Sequence, residues 1–217
     1  MKEAAQIVSW VFMPLFIPVY AIFIVMYVPS DHYFFNPNCI YYLSLEGKTA
    51  LIFRFLLLGV VAPGVSFYIL QRMKIISSIE METRKERTIP IVVMFFYCLL
   101  LYSYQGYEGE MSPFLPKYIY SLPLSGMLVT FVFFFLNRWK KISIHAASAG
   151  ILVGFLLAFA VQHHDYQMWI IAFGFIVSGL VMSARLFLNK HTLFEVLLGW
   201  AVGSFITFIV NILYVNQ

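Results

Sequence analysis

The sequence predicts an all-α polytopic transmembrane helical bundle of about seven helices, with six as the fallback count, forming a single integral membrane domain over residues 1–217. Three observations predict it. The chain is 62% hydrophobic and 11% charged, and its mean hydropathy of +0.85 is more than a soluble core can hide, so lipid is its natural solvent. A bilayer core about 30 Å thick needs roughly 20 apolar residues per helical span, and the chain divides into runs of about that length. These runs lack the apolar–polar alternation of a barrel. Helices satisfy every backbone donor and acceptor within the span, as lipid demands.

In order, the predicted spans are Ile7–Val28, Thr49–Leu70, Ile89–Tyr104, Tyr118–Leu136, His145–Val161, Met168–Ala184 and Thr192–Val215. The first follows Lys2 and Glu3, contains Pro14 and Pro18, is too long for a signal-peptide core and shows no small-residue cleavage site, so it is expected to remain as a span. The third is the shortest, and Gln105, Gly106 and Tyr107 can extend it. Small residues four apart, Gly150 with Gly154 and Gly199 with Gly203, predict close helix packing.

Cys39 and Cys98 give neither a disulfide framework nor a metal-ligand spacing. His163, His164 and Asp165 share a short loop without further ligands, so no metal and no cofactor are expected. The net charge of +4 is modest, and no nucleic acid partner is expected. Asp31 and Asp165 are isolated, which excludes the aspartate-rich magnesium motifs of a membrane prenyltransferase.

Charge placement is more informative than charge total. Seven spans would put Lys2, Arg72, Lys74, Arg84, Lys85, Arg87, Arg138, Lys140, Lys141, Arg185 and Lys190 on one side, leaving Lys48, Arg54 and Lys117 on the other. The positive-inside rule makes the basic side cytoplasmic and the protein a multi-pass component of the cell (inner) membrane.

Three stretches on that basic side concentrate ionisable groups at helix ends, where they are costly without a use. They are Arg84–Lys85–Glu86–Arg87 before Pro90, Lys141–Ile142–Ser143–Ile144–His145, and Arg185 through His191 and Glu195 to Gly199. An even number of crossings separates each from the next, so all three return to one face and can share one site. His191 and Glu195, four apart, stack on one helix face. A carboxylate can hold one ring nitrogen there and leave the other free to attack. A helix start favours an anion such as a phosphoryl group, and Arg87, Arg185 and Lys141 add cations for its oxygens.

The run of Arg185, five residues, His191, three residues, Glu195, Val196 and then Gly199 resembles the third signature of the type 2 phosphatidic acid phosphatase (PAP2) superfamily. Ile142–Ser143–Ile144–His145 is similar to its second signature, with isoleucines in place of proline and glycine, and Arg87 with Pro90 echoes its first. Glu80 stands where that first signature has lysine, leaving Arg84 or Lys85 as substitutes, and Glu195 replaces an aspartate. The resemblance covers about residues 84–203. It implies a PAP2-like core and a metal-independent phosphatase that hydrolyses a phosphomonoester or diphosphate of a membrane lipid. It further implies His191 as the nucleophile, Glu195 as its orienting partner and His145 as the general acid. Arg87, Arg185, Arg84, Lys85, Lys141 and Ser143 would hold the phosphate. The family places its site on the outer face, whereas the charge count favours the cytoplasmic one. The altered second signature leaves an alternative, a lipid-phosphate binding or transport protein that keeps the anion site without hydrolysis. Lipid identity and oligomeric state are not legible.

Overall fold

The computed structural model describes residues 1–30, 39–111, 116–163 and 168–215. Asp31, His164 and Asp165, named above, lie outside the described residues. Among the described residues the chain is helical, with no strand. The helices are α1 (Lys2–Val11), α2 (Ile17–Tyr27), α3 (Leu45–Leu56), α4 (Ala62–Arg72), α5 (Thr88–Met111), α6 (Lys117–Leu136), α7 (Ile144–Gln162), α8 (Met168–Phe187) and α9 (Leu193–Val215). A π-helical segment, Leu57–Val61, joins α3 to α4, so Leu45–Arg72 forms one apolar run. Six helices are long and apolar enough to cross a membrane, and the molecule is an all-α polytopic bundle.

The first expected span is the departure. In place of one helix over Ile7–Val28, the chain forms α1 and α2 with a break at Phe12–Phe16. At about 1.5 Å per residue, neither piece alone crosses a bilayer. The cause is Pro14, which has no N–H to donate and whose ring clashes with the preceding turn. Pro18 then sits at the start of α2, where a missing N–H costs nothing. The Tyr20 hydroxyl donates to the Val11 carbonyl at 2.8 Å, satisfying a backbone group that the break exposes. The fallback count of six full spans therefore holds, with a broken helix pair in front. The third run, conversely, reaches beyond Tyr107.

The centre of the bundle is α7, the most enclosed of the six spans. It runs parallel to α9, and the four spaced glycines explain why the two lie so close. A Cβ at Gly150 would strike the Trp200 carbonyl, one at Gly154 the Ser204 carbonyl, and one at Gly203 the Ala147 carbonyl. At Gly199 it would lie 2.6 Å from the Ser143 carbonyl. Backbone therefore rests on backbone along the seam, as small residues permit in lipid. The Ser143 amide also donates to the Glu195 carbonyl at 3.2 Å, pinning the start of α7 to the first turn of α9. Ile91 of α5, Val129 and Phe133 of α6, Ile142 and Ala147 form an apolar cluster, with Leu198 and Val202 of α9 packed against it.

Candidate functional site

The parallel seam brings the starts of α5, α7 and α9 and the end of α8 to one end of the bundle, where the basic stretches meet. His191 lies two residues before the first residue of α9, with its side chain only 1% exposed. Its Nδ1 lies 3.0 Å from the Lys141 carbonyl oxygen and 3.4 Å from Glu195 Oε2. Both are acceptors, so the ring proton belongs on Nδ1 and the Nε2 lone pair is unprotonated. Nε2 faces Arg87 Nη2 at 3.5 Å, a long contact. Burial, reinforced by the charges of Arg87 and Arg185, lowers the imidazole from 6.5 to about 4 against the opposing pull of Glu195. The ring is therefore neutral at pH 7, with one nitrogen held and the other nucleophilic.

Glu195 has two duties. Its Oε2 accepts from the Thr192 amide at 3.0 Å while the Thr192 hydroxyl accepts from the Glu195 amide at 3.4 Å. This reciprocal capping box starts α9. The same carboxylate oxygen faces His191, so helix capping fixes the group that orients the ring.

Arg87 is buried, at 4% exposure. Its Nε donates to the Met81 carbonyl at 3.1 Å and its Nη1 to the Ile142 carbonyl at 2.7 Å. Two edges of the guanidinium thus hold the loop ahead of α5 against the entry to α7, and Nη2 turns toward His191. Arg185, at 3% exposure, carries a buried Nε with no hydrogen-bond partner. A buried cation left in that condition is expensive. Lys141 is half-buried, and burial together with the Arg87 charge lowers its pKa.

The remaining expected site residues are distributed differently. His145 is half-buried at the first turn of α7, within electrostatic range of Arg185, His191 and Arg87, and its ring hydrogen-bonds to the backbone of Ser9 in α1. Ser143 is fully buried, and its hydroxyl accepts from the Ala146 amide at 3.3 Å. Capping α7 uses the hydroxyl as an acceptor, while its own O–H is the group expected to donate to phosphate. Arg84 and Lys85 are exposed and line a cleft between α5 and α6 rather than facing His191. The reason is the tight 3₁₀ turn Lys85–Arg87, which points Arg87 inward and its predecessors outward.

Sequence reasoning missed three partners. The Lys141 carbonyl and the Ser9 backbone are main-chain groups that no residue pattern marks. Lys190 bridges to Glu80 at 2.9 Å and Glu82 at 3.3 Å. Its hydrogen bond, ahead of the other causes, holds the Glu80 carboxyl below its usual range, with Arg185 and Lys141 adding to the effect. Glu80, at the position of the expected lysine, thus faces the site cations as their counter-charge. Among the described residues no group of three or more His, Cys, Asp or Glu side chains is placed to hold a metal ion. Comparison with known proteins adds no relative, because no family model, curated protein or solved structure matches the chain.

Proposed function

We propose that this protein is a membrane-embedded lipid phosphatase, a divergent member of the PAP2 superfamily, that hydrolyses a phosphomonoester or diphosphate of a lipid through a phospho-histidine. One observation carries the reading. A neutral imidazole is held at Nδ1 by a carboxylate and a carbonyl, and it presents Nε2 toward an arginine at the membrane end of a helical bundle.

In the first step, His191 Nε2 attacks phosphorus, an N–P bond forms and the P–O bond to the lipid breaks. His145, entering the step as an imidazolium paired with the bound phosphate's negative charge, exchanges its bond to Ser9 for one to substrate, passes its proton to the leaving oxygen and becomes neutral. Water, deprotonated by His145, then attacks phosphorus. The N–P bond breaks, and inorganic phosphate and the free imidazole are regenerated. Arg185, Arg87 Nη2 and Lys141 stabilise the charge that builds on the phosphoryl oxygens. Glu195 and the Lys141 carbonyl support the imidazolium character that develops on His191. The positive-inside count supports a cytoplasmic site in the cell (inner) membrane. Candidate substrates are phosphatidic acid, phosphatidylglycerol phosphate, a sphingoid phosphate and a polyprenyl diphosphate, each with its tail in the bilayer.

A non-hydrolytic lipid-phosphate binder or transporter is favoured by one observation, the engagement of His145 with Ser9. Detergent-purified protein, given that lipid panel in a chelator, separates the two. The phosphatase reading expects phosphate release that His191→Ala abolishes, and an acid-labile phospho-enzyme on rapid quench with labelled substrate. Tight lipid-phosphate binding without release, unchanged in His191→Ala, would establish the binder.

A further inference from the structure

Between the start of α5 and the end of α6 lies a cleft of about 240 Å³, lined by Arg84, Lys85, Thr88, Phe134, Asn137 and Arg138. Half of these residues are cations, and no carboxylate lines the cleft. Glu86, the nearest acid along the chain, turns elsewhere, its Oε2 accepting from the Ser77 hydroxyl at 3.1 Å and the Thr83 amide at 3.5 Å. Glu80 and Glu82 are occupied by Lys190. Among the described residues, the three cleft cations make no ion pair.

The cleft is also built. Arg84 Nη1 donates to the Trp139 carbonyl at 3.0 Å, leaving its other edge open. Asn137 Nδ2 donates to the Arg84 carbonyl at 2.9 Å and the Thr88 hydroxyl at 3.3 Å, tying the two helix ends together. The Arg138 guanidinium lies 5.4 Å from the centre of the Phe134 ring. With no carboxylate in the lining, these three exposed cations leave their charge for an external anion.

Position selects the anion. Both lining helices are membrane-spanning in length and composition, so their ends stand at headgroup depth. The flanks of the same helices expose Phe96, Phe131 and Phe135, an apolar path for acyl chains directly continuous with the helices that bear the cations. A soluble anion would have no use for that path.

We propose that this cleft binds the phosphate of an anionic glycerophospholipid, held by Arg84, Lys85 and Arg138 with its chains along the α5–α6 flank, at a site separate from the cluster around His191. The proposal does not depend on turnover at His191. Each cation near an anionic headgroup contributes on the order of 1 kcal/mol, so removing all three weakens retention about 100-fold.

The full chain in neutral detergent, mixed with equal amounts of phosphatidylglycerol and phosphatidylcholine, tests this by native mass spectrometry. One phosphatidylglycerol is expected to stay bound, and the triple variant Arg84→Gln, Lys85→Gln, Arg138→Gln is expected to lose it. The double variant Lys85→Gln, Arg138→Gln keeps the Arg84–Trp139 bond and gives an intermediate loss if the triple variant does not fold. A control triple, Arg72→Gln, Lys74→Gln, Lys140→Gln, removes equal charge from the same membrane end and is expected to retain the lipid. Equal loss in the control would overturn the site in favour of general surface charge. Displacement of the lipid by millimolar inorganic phosphate alone would overturn it in favour of a soluble anion.

Discussion

The two ends of the bundle handle buried polarity in opposite ways. At the end that gathers the starts of α5, α7 and α9, the buried groups are ionisable: Arg87, Arg185 and His191, each under 9% exposed. Their contacts come from loops far apart in sequence, and Arg185 keeps an unpaired Nε. At the far end most buried polar groups are neutral amides and hydroxyls, and the buried imidazole of His163 is held locally, its Nδ1 2.8 Å from the Phe159 carbonyl. Ser121 of α6 bonds Asn211 of α9, Asn211 Nδ2 donates to the Thr207 carbonyl at 2.8 Å, and Gln162 of α7 donates to the Asn211 carbonyl at 3.3 Å. Neutral hydrogen bonds of this kind join helices in lipid for about 1 kcal/mol each. Buried charge costs far more and is worth retaining only where it acts on something. Polarity alone therefore does not single out the candidate site; net charge that the protein leaves partly unanswered does.

That contrast can be broken at four points. The largest effect is expected from Arg185→Ala, which removes the least satisfied cation and should lower phosphate release about 10²- to 10³-fold, measured as kcat/KM on the best substrate of the panel. A melting temperature held near the parent value would separate this from unfolding. Next comes Gly203→Leu, which drives a side chain into the Ala147 carbonyl. Overpacking of this kind costs about 3 kcal/mol, and the variant should lose both detergent stability and activity, because the α7–α9 seam sets the site.

Glu195→Gln should lower kcat/KM about 10²-fold and move the pH profile. The attacking imidazole must be neutral, so activity is lost as pH falls through its folded pKa of about 4. Glu195 holds that pKa up, so its neutralisation moves the acid limb to lower pH, whereas removal of Arg185 moves it higher. An acid limb near 6.5 in the parent protein would contradict the buried, arginine-flanked ring. The smallest effect belongs to the far end. Asn211→Ala should cost about 1 kcal/mol of stability, read as a modest fall in thermal midpoint, and leave the pH profile untouched.

Much of the fold was legible because lipid removes alternatives: a run of apolar residues that long must be helical. The His191–Glu195 pairing was legible for the same reason, since a spacing of four has one meaning on a helix. The glycine seam was visible as well, although the sequence did not say which glycine meets which carbonyl. The first span was misjudged because averaging hydropathy over Ile7–Val28 hides the single N–H that Pro14 lacks. Arg84 and Lys85 were grouped with Arg87 because sequence proximity does not reveal how a 3₁₀ turn divides three neighbours between interior and surface. Ser143 suits a phosphate as well as a helix cap, and only the position of the Ala146 amide shows that it caps α7. The Lys141 carbonyl and the Ser9 backbone belong to the main chain, whose contacts depend on the assembled structure.

The parallel pairing of α7 with α9 also orders events in biogenesis. These helices are not consecutive, and α8 must turn back through the bilayer before α9 can slide along its partner. A nascent chain arrested after α8 would carry Arg87, Lys141, His145 and Arg185 but not His191 or Glu195 to complete them. Whatever chemistry the site performs is thus withheld until α9 docks beside α7.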